Sequence, residues 1–87
     1  MRCRVYDTRT DDGRARKHPP LIGESINLDA RRDLLVMDAA GVESRAQFSD
    51  ARVLTISAHG LHIECLDVRA NGRVFRRVLW CATEPQT

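Results

Sequence analysis

The chain has 87 residues, which is enough for one domain with one hydrophobic core and too short for a catalytic domain beside a separate binding domain. Hydrophobic residues make up 43% and charged residues 30% of the chain, a balance that excludes intrinsic disorder. The formal net charge of +2 is too small to indicate nucleic-acid binding by itself, and no apolar run approaches the roughly 18 residues of a membrane span. A single small domain over residues 1–87 is therefore expected.

The basic residues and the cysteines suggest where the protein works. Lys17 is the only lysine among 14 basic residues, a bias towards arginine that is typical of GC-rich bacterial genomes. Cys3, Cys65 and Cys81 are an odd number of thiols, and no apolar signal segment precedes them. We expect reduced cysteines in a cytoplasmic bacterial protein.

Alternating polar and apolar residues predict strands from the start of the chain. Residues 2–7 alternate as an edge strand does, with Cys3 and Val5 on one face. Residues 9–20 are interpreted as a flexible basic loop, because it contains an Asp-Gly turn signal and two consecutive prolines. Alternation resumes at residues 25–29.

Residues 29–40 are the ambiguous segment. They contain good helix formers and end at Gly41, a suitable helix cap. However, Leu34 to Met37 is a solid apolar block without a separate polar stripe, as in a strand that is buried on both faces. The strand is favoured over one short helix.

The second half of the chain has the clearer pattern. Strands are predicted over 42–48, 52–57, 61–68 and 73–81, followed by a tail at 83–87. About six short strands at this spacing predict a mainly β fold, either a small antiparallel β-barrel or a sandwich.

The dipeptide Asn71-Gly72 predicts a tight hairpin turn with these two residues at its centre. In that register His62 faces Cys81, Asp67 faces Arg76, and Ile63 faces Trp80. The face with Ile63, Cys65, Val78 and Trp80 should then be the core face. The opposite face, which includes His62, Leu66, Phe75 and Leu79, should contact a partner.

The segment around the turn at residues 58–60 resembles the PilZ family of bacterial β-barrel domains. Members of that family carry Asp or Asn-x-Ser-x-x-Gly between two strands. Here Ser57 and Gly60 match the motif, whereas Thr55 stands where the Asp or Asn belongs. The resemblance covers about 25 residues and implies a small regulatory barrel. The family's upstream Arg-x-x-x-Arg, which clamps the phosphates of cyclic di-GMP, is absent, and the only such spacing, from Arg73 to Arg77, lies downstream.

These observations predict a non-catalytic bacterial regulatory module that acts through a protein partner, with a homodimer as one form and without cyclic di-GMP, metal or cofactor. The alternative from another class is a nucleic-acid-binding barrel that uses the basic C-terminal hairpin. The expected ligand- or partner-binding residues for these two hypotheses are Ser57, His59, Gly60, His62, Arg73, Phe75 and Arg77.

Two chemical alternatives have weaker support in the sequence. His59, His62 and Cys65 are zinc-ligand types, but an extended strand directs His62 and Cys65 to opposite faces. Cys81, near Arg77 and facing His62 in the predicted register, is the best candidate for a nucleophile, although no substrate pocket accompanies it. Surface histidines and inert buried thiols are the simpler interpretation.

Overall fold

A computed structural model describes residues 1–83, and every regular element in that range is a β-strand. The strands are β1 (Arg2–Asp7), β2 (Leu21–Leu28), β3 (Leu34–Met37), β4 (Ser44–Ser57), β5 (Gly60–Val68) and β6 (Val74–Ala82). Each strand is antiparallel to the next, and β6 pairs with β1 to close a six-stranded barrel. The predicted antiparallel barrel is confirmed, and the ambiguous segment contains a strand. Over residues 1–83 there is no helix with the length and hydropathy that a membrane span needs.

Alternate residues of the strands fill the inside of the barrel. In β3, for example, Leu34 and Val36 are fully buried, while their neighbours in the strand are partly exposed. The same period of two gives inward Cys3 and Val5 in β1. The core consists of Cys3, Val5, Ile26, Leu34, Val36, Phe48, Ala51, Ile63, Cys65, Leu79 and Cys81.

The pairing of β5 with β6 differs from the predicted register by one residue. His62 lies opposite Trp80, not Cys81, and Ile63 lies opposite Leu79, not Trp80. A slip of one residue exchanges the two faces of a strand. Leu79 is therefore fully buried, which contradicts its predicted place on the contact surface, whereas Trp80 and Val78 are only partly buried and not in the core.

The turn between β5 and β6 explains this error. The Gly72 N–H donates to the Arg69 carbonyl, and the Arg69 N–H donates to the Arg73 carbonyl. Gly72 has a φ of 83°, so it supplies the left-handed residue that follows the turn in a three-residue hairpin loop. The sequence signal was correct for a turn, but Asn71 and Gly72 are not its two central residues.

Three other turns, which begin at Thr10, Asp29 and Asp38, share the bond from the N–H of the fourth residue to the carbonyl of the first. The second bond is the same at Thr10 and Asp29, whereas the Asp38 N–H donates to the Glu43 carbonyl. In each of them the fourth residue has a positive φ. That residue is Gly13 in the first turn and Gly41 in the third, whereas the second turn has Arg32 with a φ of 65°. Arg32 therefore adopts a conformation that glycine adopts at lower cost.

The antiparallel order gives the barrel two distinct ends. The loops at residues 8–20, 38–43 and 69–73 lie at one end, which we call the ionic end. Met1 and the turns at 29–33 and 58–59 lie at the other, which we call the apolar end.

Strand β4 is much longer than its neighbour β3, with 14 residues against 4. It pairs with β3 only up to Phe48, and the Ala51 N–H donates to the Arg32 carbonyl. Asp50 has a φ of 50° and marks a bulge in this region. Beyond it, Arg52–Ser57 pair only with β5, whereas Gly60–His62 pair with β6 as well. We call residues 52–62, at the apolar end, the protruding hairpin because its β4 arm extends past the end of β3.

The structure describes the predicted loop at 9–20 in full but only the first residue of the predicted tail at 83–87. Residues 9–20 contain a bridge between Arg9 and Ala15, and the Arg16 Nε donates to the Arg9 carbonyl at 2.9 Å. The flexibility of this loop stays a prediction. Of the predicted tail at 83–87, residues 84–87 lie outside the described residues.

Candidate functional site

The motif that resembles the PilZ corner lies at the tip of the protruding hairpin. The Ser57 hydroxyl donates to the Gly60 carbonyl at 3.2 Å and accepts from the His59 N–H at 3.2 Å. The hydroxyl of Ser57 is thus engaged within its own turn, as is common for serine at such positions. His59 and Ser57 are both exposed at this tip.

Gly60 has a structural requirement of its own. It is buried opposite Ala82, with a φ of 148°, and a Cβ at this position would lie 2.2 Å from the Cys81 carbonyl oxygen. No other residue type fits this approach of two backbones without a shift. Glycine is therefore needed here for the fold, whatever the turn binds.

His62 lies on the outside of the barrel within a group of aromatic rings. Its partner on β6 is Trp80, and the partner of Trp80 on β1 is Tyr6. The His62 and Trp80 ring centroids are 4.6 Å apart with an interplanar angle of 41°. The Thr55 hydroxyl is hydrogen-bonded to His62 Nδ1 at 2.8 Å, which fixes the imidazole. We call Tyr6, Trp80 and His62 the aromatic row.

Phe75 lies at the ionic end and its ring is in contact with arginines. The guanidinium carbons of Arg69, Arg73 and Arg77 lie 5.3, 5.2 and 5.5 Å from the ring centroid. These distances are within the range of cation–π attraction. Arg73, Phe75 and Arg77 share one face, as the sequence predicted, but three guanidiniums already occupy the surroundings of the ring.

Arg77 is a buried residue with only 3% of its surface exposed. Its guanidinium forms ion pairs with Asp7 at 3.8 Å, with Asp67 at 3.4 Å, and with Asp11. It also donates to the Arg9 carbonyl at 3.2 Å. The hydrogen bond from Arg77 lowers the pKa of the Asp11 carboxyl below its ordinary value. Arg77 thus fastens the loop at residues 8–20 to the ionic end.

A second cluster of charges lies on the outside of the barrel. Glu64 pairs with Arg52 at 3.4 Å and with Arg76 at 3.5 Å. The predicted pair of Arg76 with Asp67 is wrong, because the shifted register puts Leu66 opposite Arg76. Asp67 pairs instead with Arg69 at 3.0 Å and with Arg77.

The three thiols are all buried, which argues against a cysteine nucleophile. Burial raises the pKa of the Cys65 thiol to about 12. A hydrogen bond with Cys3 and burial both raise the pKa of the Cys81 thiol. The predicted juxtaposition of His62 with Cys81 is wrong, since Trp80 lies opposite His62. Within residues 1–83, no three potential ligands among His, Cys, Asp and Glu come together to hold a metal ion.

An apolar groove at the apolar end is a feature that the sequence analysis missed. Its exposed members include Met1, Leu28 and Val53, with 54%, 41% and 43% of their surface exposed. The cavity has a volume of about 340 Å³ and is lined by Met1, Ile26, Asn27, Leu28, Val53, Leu61 and Ile63. Ile56 pairs with Leu61 and is 78% exposed. The apolar residues on both faces of the segment 53–56 were the available signal.

The predicted site residues therefore do not form one site. Ser57, His59 and Gly60 lie at the tip of the protruding hairpin, whereas Arg73, Phe75 and Arg77 lie at the opposite end of the barrel. His62 belongs to the aromatic row. Trp80 was missed because the hairpin register was wrong by one residue. Tyr6 was missed because it joins the row only through the pairing of β1 with β6.

Comparison of the chain with protein-family models finds no match. Comparisons with curated proteins and with solved structures find no match either.

Proposed function

We propose that this protein is a non-catalytic interaction module that binds an extended segment of a partner protein at the edge of β4. In this mode of recognition, main-chain hydrogen bonds supply affinity and pockets for alternate side chains supply specificity. The observation that carries the proposal is the protruding hairpin, whose outer edge is open and apolar.

The backbone of the hairpin offers the first half of such a site. Within the described part of the chain, no strand pairs with the edge of Arg52–Ser57 that faces away from β5. A row of backbone donors and acceptors at such an edge is a template for another strand. The side chains offer little protection, because Val53, Leu54 and Ile56 are 43%, 45% and 78% exposed.

The apolar groove offers the second half. Val53 belongs both to the open edge and to the lining of the groove, so an added strand would pass beside the cavity. The volume of about 340 Å³ suits an apolar side chain of that strand. A partner segment with alternating apolar residues would bury Met1, Leu28 and Val53, which the fold alone leaves exposed.

The likeness to PilZ domains fits this proposal as a regulatory barrel without cyclic di-GMP. The engagement of the Ser57 hydroxyl in its own turn supports a structural role for the corner motif. Neither Arg73 nor Arg77 is near that corner, so the phosphates would lack their clamp. We expect no saturable binding in a titration with cyclic di-GMP.

Selection from a displayed library of random peptides tests the proposal. We expect enriched peptides with apolar residues at alternate positions, and binding should slow hydrogen exchange at the amides of Arg52–Ser57. Ile56→Lys should weaken binding at least tenfold, because it puts a charge on the apolar edge, whereas Val42→Lys should not. Val42 is a matched control, since it is 83% exposed and lies in the turn before β4.

Three results would overturn the proposal. One is the failure of any peptide to be enriched, and another is protection of amides away from β4. The third is equal binding by the Ile56→Lys and Val42→Lys variants. Sedimentation of the protein without peptide shows whether a second copy occupies the edge. Dimerisation that Ile56→Lys abolishes would replace the foreign partner with a homodimer.

A further inference from the structure

The aromatic row lies on the outer surface of three adjacent strands, β1, β6 and β5. Tyr6 pairs with Trp80, and Trp80 pairs with His62, so the three side chains are direct cross-strand neighbours. Adjacent strands are separated by about 4.8 Å, which is close to the 4.6 Å between the His62 and Trp80 rings. The Trp80 and His62 rings are therefore in contact, and Tyr6 lies beside Trp80 on the same outer face of the barrel wall.

This surface is concave. With Thr8 and Pro19, the aromatic row lines an open cavity with a volume of about 470 Å³. That volume is within the range of sites that take a small ring system. The hydrogen bond between the Thr55 hydroxyl and His62 Nδ1 and the packing of Trp80 against His62 hold two of the rings before any ligand arrives.

The segments that supply the cavity lining also carry cations outside that lining. Arg4 is exposed and lies two residues before Tyr6 on the same face of β1. On the other side, Arg52 and Arg76 share the single carboxylate of Glu64, which leaves a net positive charge. Lys17 is exposed and lies two residues before Pro19 in the chain.

We propose that the aromatic row binds single-stranded nucleic acid, with bases on the rings of Trp80 and Tyr6 and phosphates beside Arg4 and Arg76. Proteins that bind single-stranded nucleic acid without sequence preference stack the bases on aromatic side chains and hold the phosphates with nearby cations. A duplex would be rejected, because its bases are stacked on each other and cannot reach the rings. The cations on these segments favour a polyanion over a proline-rich peptide, which also docks on aromatic grooves.

This site is distinct from the edge of β4 and goes beyond the proposed protein-binding function. It also differs from the nucleic-acid site that the sequence predicted at the C-terminal hairpin. There, Phe75 is surrounded by three guanidiniums, and Arg77 is held by three carboxylates. Bases and phosphates would have to displace contacts that the fold already makes.

Trp80 is the only tryptophan in the chain, so its fluorescence reports directly on this site. We expect single-stranded oligodeoxythymidine to quench it saturably, and the same length of duplex to quench it much less. The affinity should fall steeply as salt is added, because phosphate contacts release counterions. Tyr6→Ala should weaken binding about tenfold, as expected for loss of one stacked base.

Matched variants separate the aromatic row from the rest of the surface. Phe75→Leu should leave the affinity within about twofold of the wild type, because that ring is not in the row. Arg4→Gln should make the slope of log affinity against log salt concentration shallower by about 0.9, the value for one phosphate contact. Arg31→Gln, an exposed arginine in the turn at the apolar end, should not change it.

The wild-type protein alone suffices to overturn the proposal, even if a variant fails to fold. Absence of saturable quenching at low salt, equal binding of the duplex, or binding that salt does not weaken would each contradict it. Quenching by a proline-rich peptide but not by the oligonucleotide would assign the row to a protein ligand. Retained affinity in a folded Tyr6→Ala variant would also overturn it.

Discussion

At one end of the barrel a buried arginine holds three carboxylates, and at the other end the side chains of Met1, Leu28 and Val53 face solvent. Every charge of the ionic cluster has a partner within the chain. The apolar end, in contrast, has a groove and a strand edge that residues 1–83 leave uncovered.

This difference shows which end of the barrel can gain free energy from a partner. Desolvation offsets much of the attraction within a buried ion cluster, so the ionic end contributes mainly by fixing the loop at residues 8–20. The apolar end still has hydrophobic surface to bury, at roughly 25 cal/mol for each Å² that leaves water. The proposed partner site is therefore at the end where binding can still bury exposed hydrophobic surface.

The largest expected effect is at the tip of the protruding hairpin. Gly60→Ala should destabilise the protein by about 4 kcal/mol, through overlap with the Cys81 carbonyl and a strained backbone. Gly72→Ala should cost only about 1 kcal/mol, because nothing lies within 4 Å of an added Cβ and only its positive φ matters. Urea unfolding measures both. Equal costs would show that the close approach at Gly60 is not rigid.

Arg77→Met is the corresponding test of the ionic end. Removal of the guanidinium leaves Asp7, Asp11 and Asp67 close together without a cation, and we expect a loss of about 3 kcal/mol in the free energy of unfolding. Arg76→Met is the control, since this neighbouring residue is exposed and its ion pair with Glu64 should contribute less than about 1 kcal/mol. If both variants lost the same small amount, the ionic cluster would not hold this end.

Much of the fold could be predicted from the sequence, because alternation is a local signal. It located β1, β5 and β6, and the apolar block at Leu34 to Met37 favoured a strand over a helix. The two strands predicted over 42–48 and 52–57 are instead one strand, β4. The turn after β5 was recognised, but the role of Gly72 within it was not, since two- and three-residue loops share the same Asn-Gly signal. The resulting error of one residue in the register reversed the predicted faces of Leu79 and Trp80, so that Leu79 is in the core and Trp80 is on the outside.

The candidate sites were harder to predict, because their members come from distant parts of the chain. Arg77 meets Asp7 and Asp11 only after β6 has paired with β1 to close the barrel. Tyr6 meets Trp80 through the same closure. The edge of β4 is open because β3 is short. The residues near Ile56 contain no local pattern that indicates where β3 ends.

A smaller effect is expected at the ionic end, where the contribution of Asp11 to the free energy of unfolding should depend on pH. The pKa of Asp11 is lowered in the folded state from an ordinary value of 3.8, so its contribution is present above that value and is lost as the pH falls below it. Asp11→Asn should lower the urea midpoint near neutral pH and change it little in strong acid. In the Arg77→Met background this difference should disappear, because the guanidinium that causes it is gone. A difference that persists there would assign it to another cation.

The smallest expected effect returns to the apolar end, at the turn between β2 and β3. Arg32 has a φ of 65° at the position where the turns at Thr10, Asp38 and Arg69 have glycine. Arg32→Gly should stabilise the protein by about 0.5 kcal/mol, since relief of the left-handed strain slightly exceeds the extra entropy of glycine in the unfolded chain. Arg31→Gly is the control and should destabilise by a similar amount, because Arg31 has no positive φ to relieve. Loss of stability in Arg32→Gly would mean that the arginine side chain makes a contact that outweighs its backbone strain.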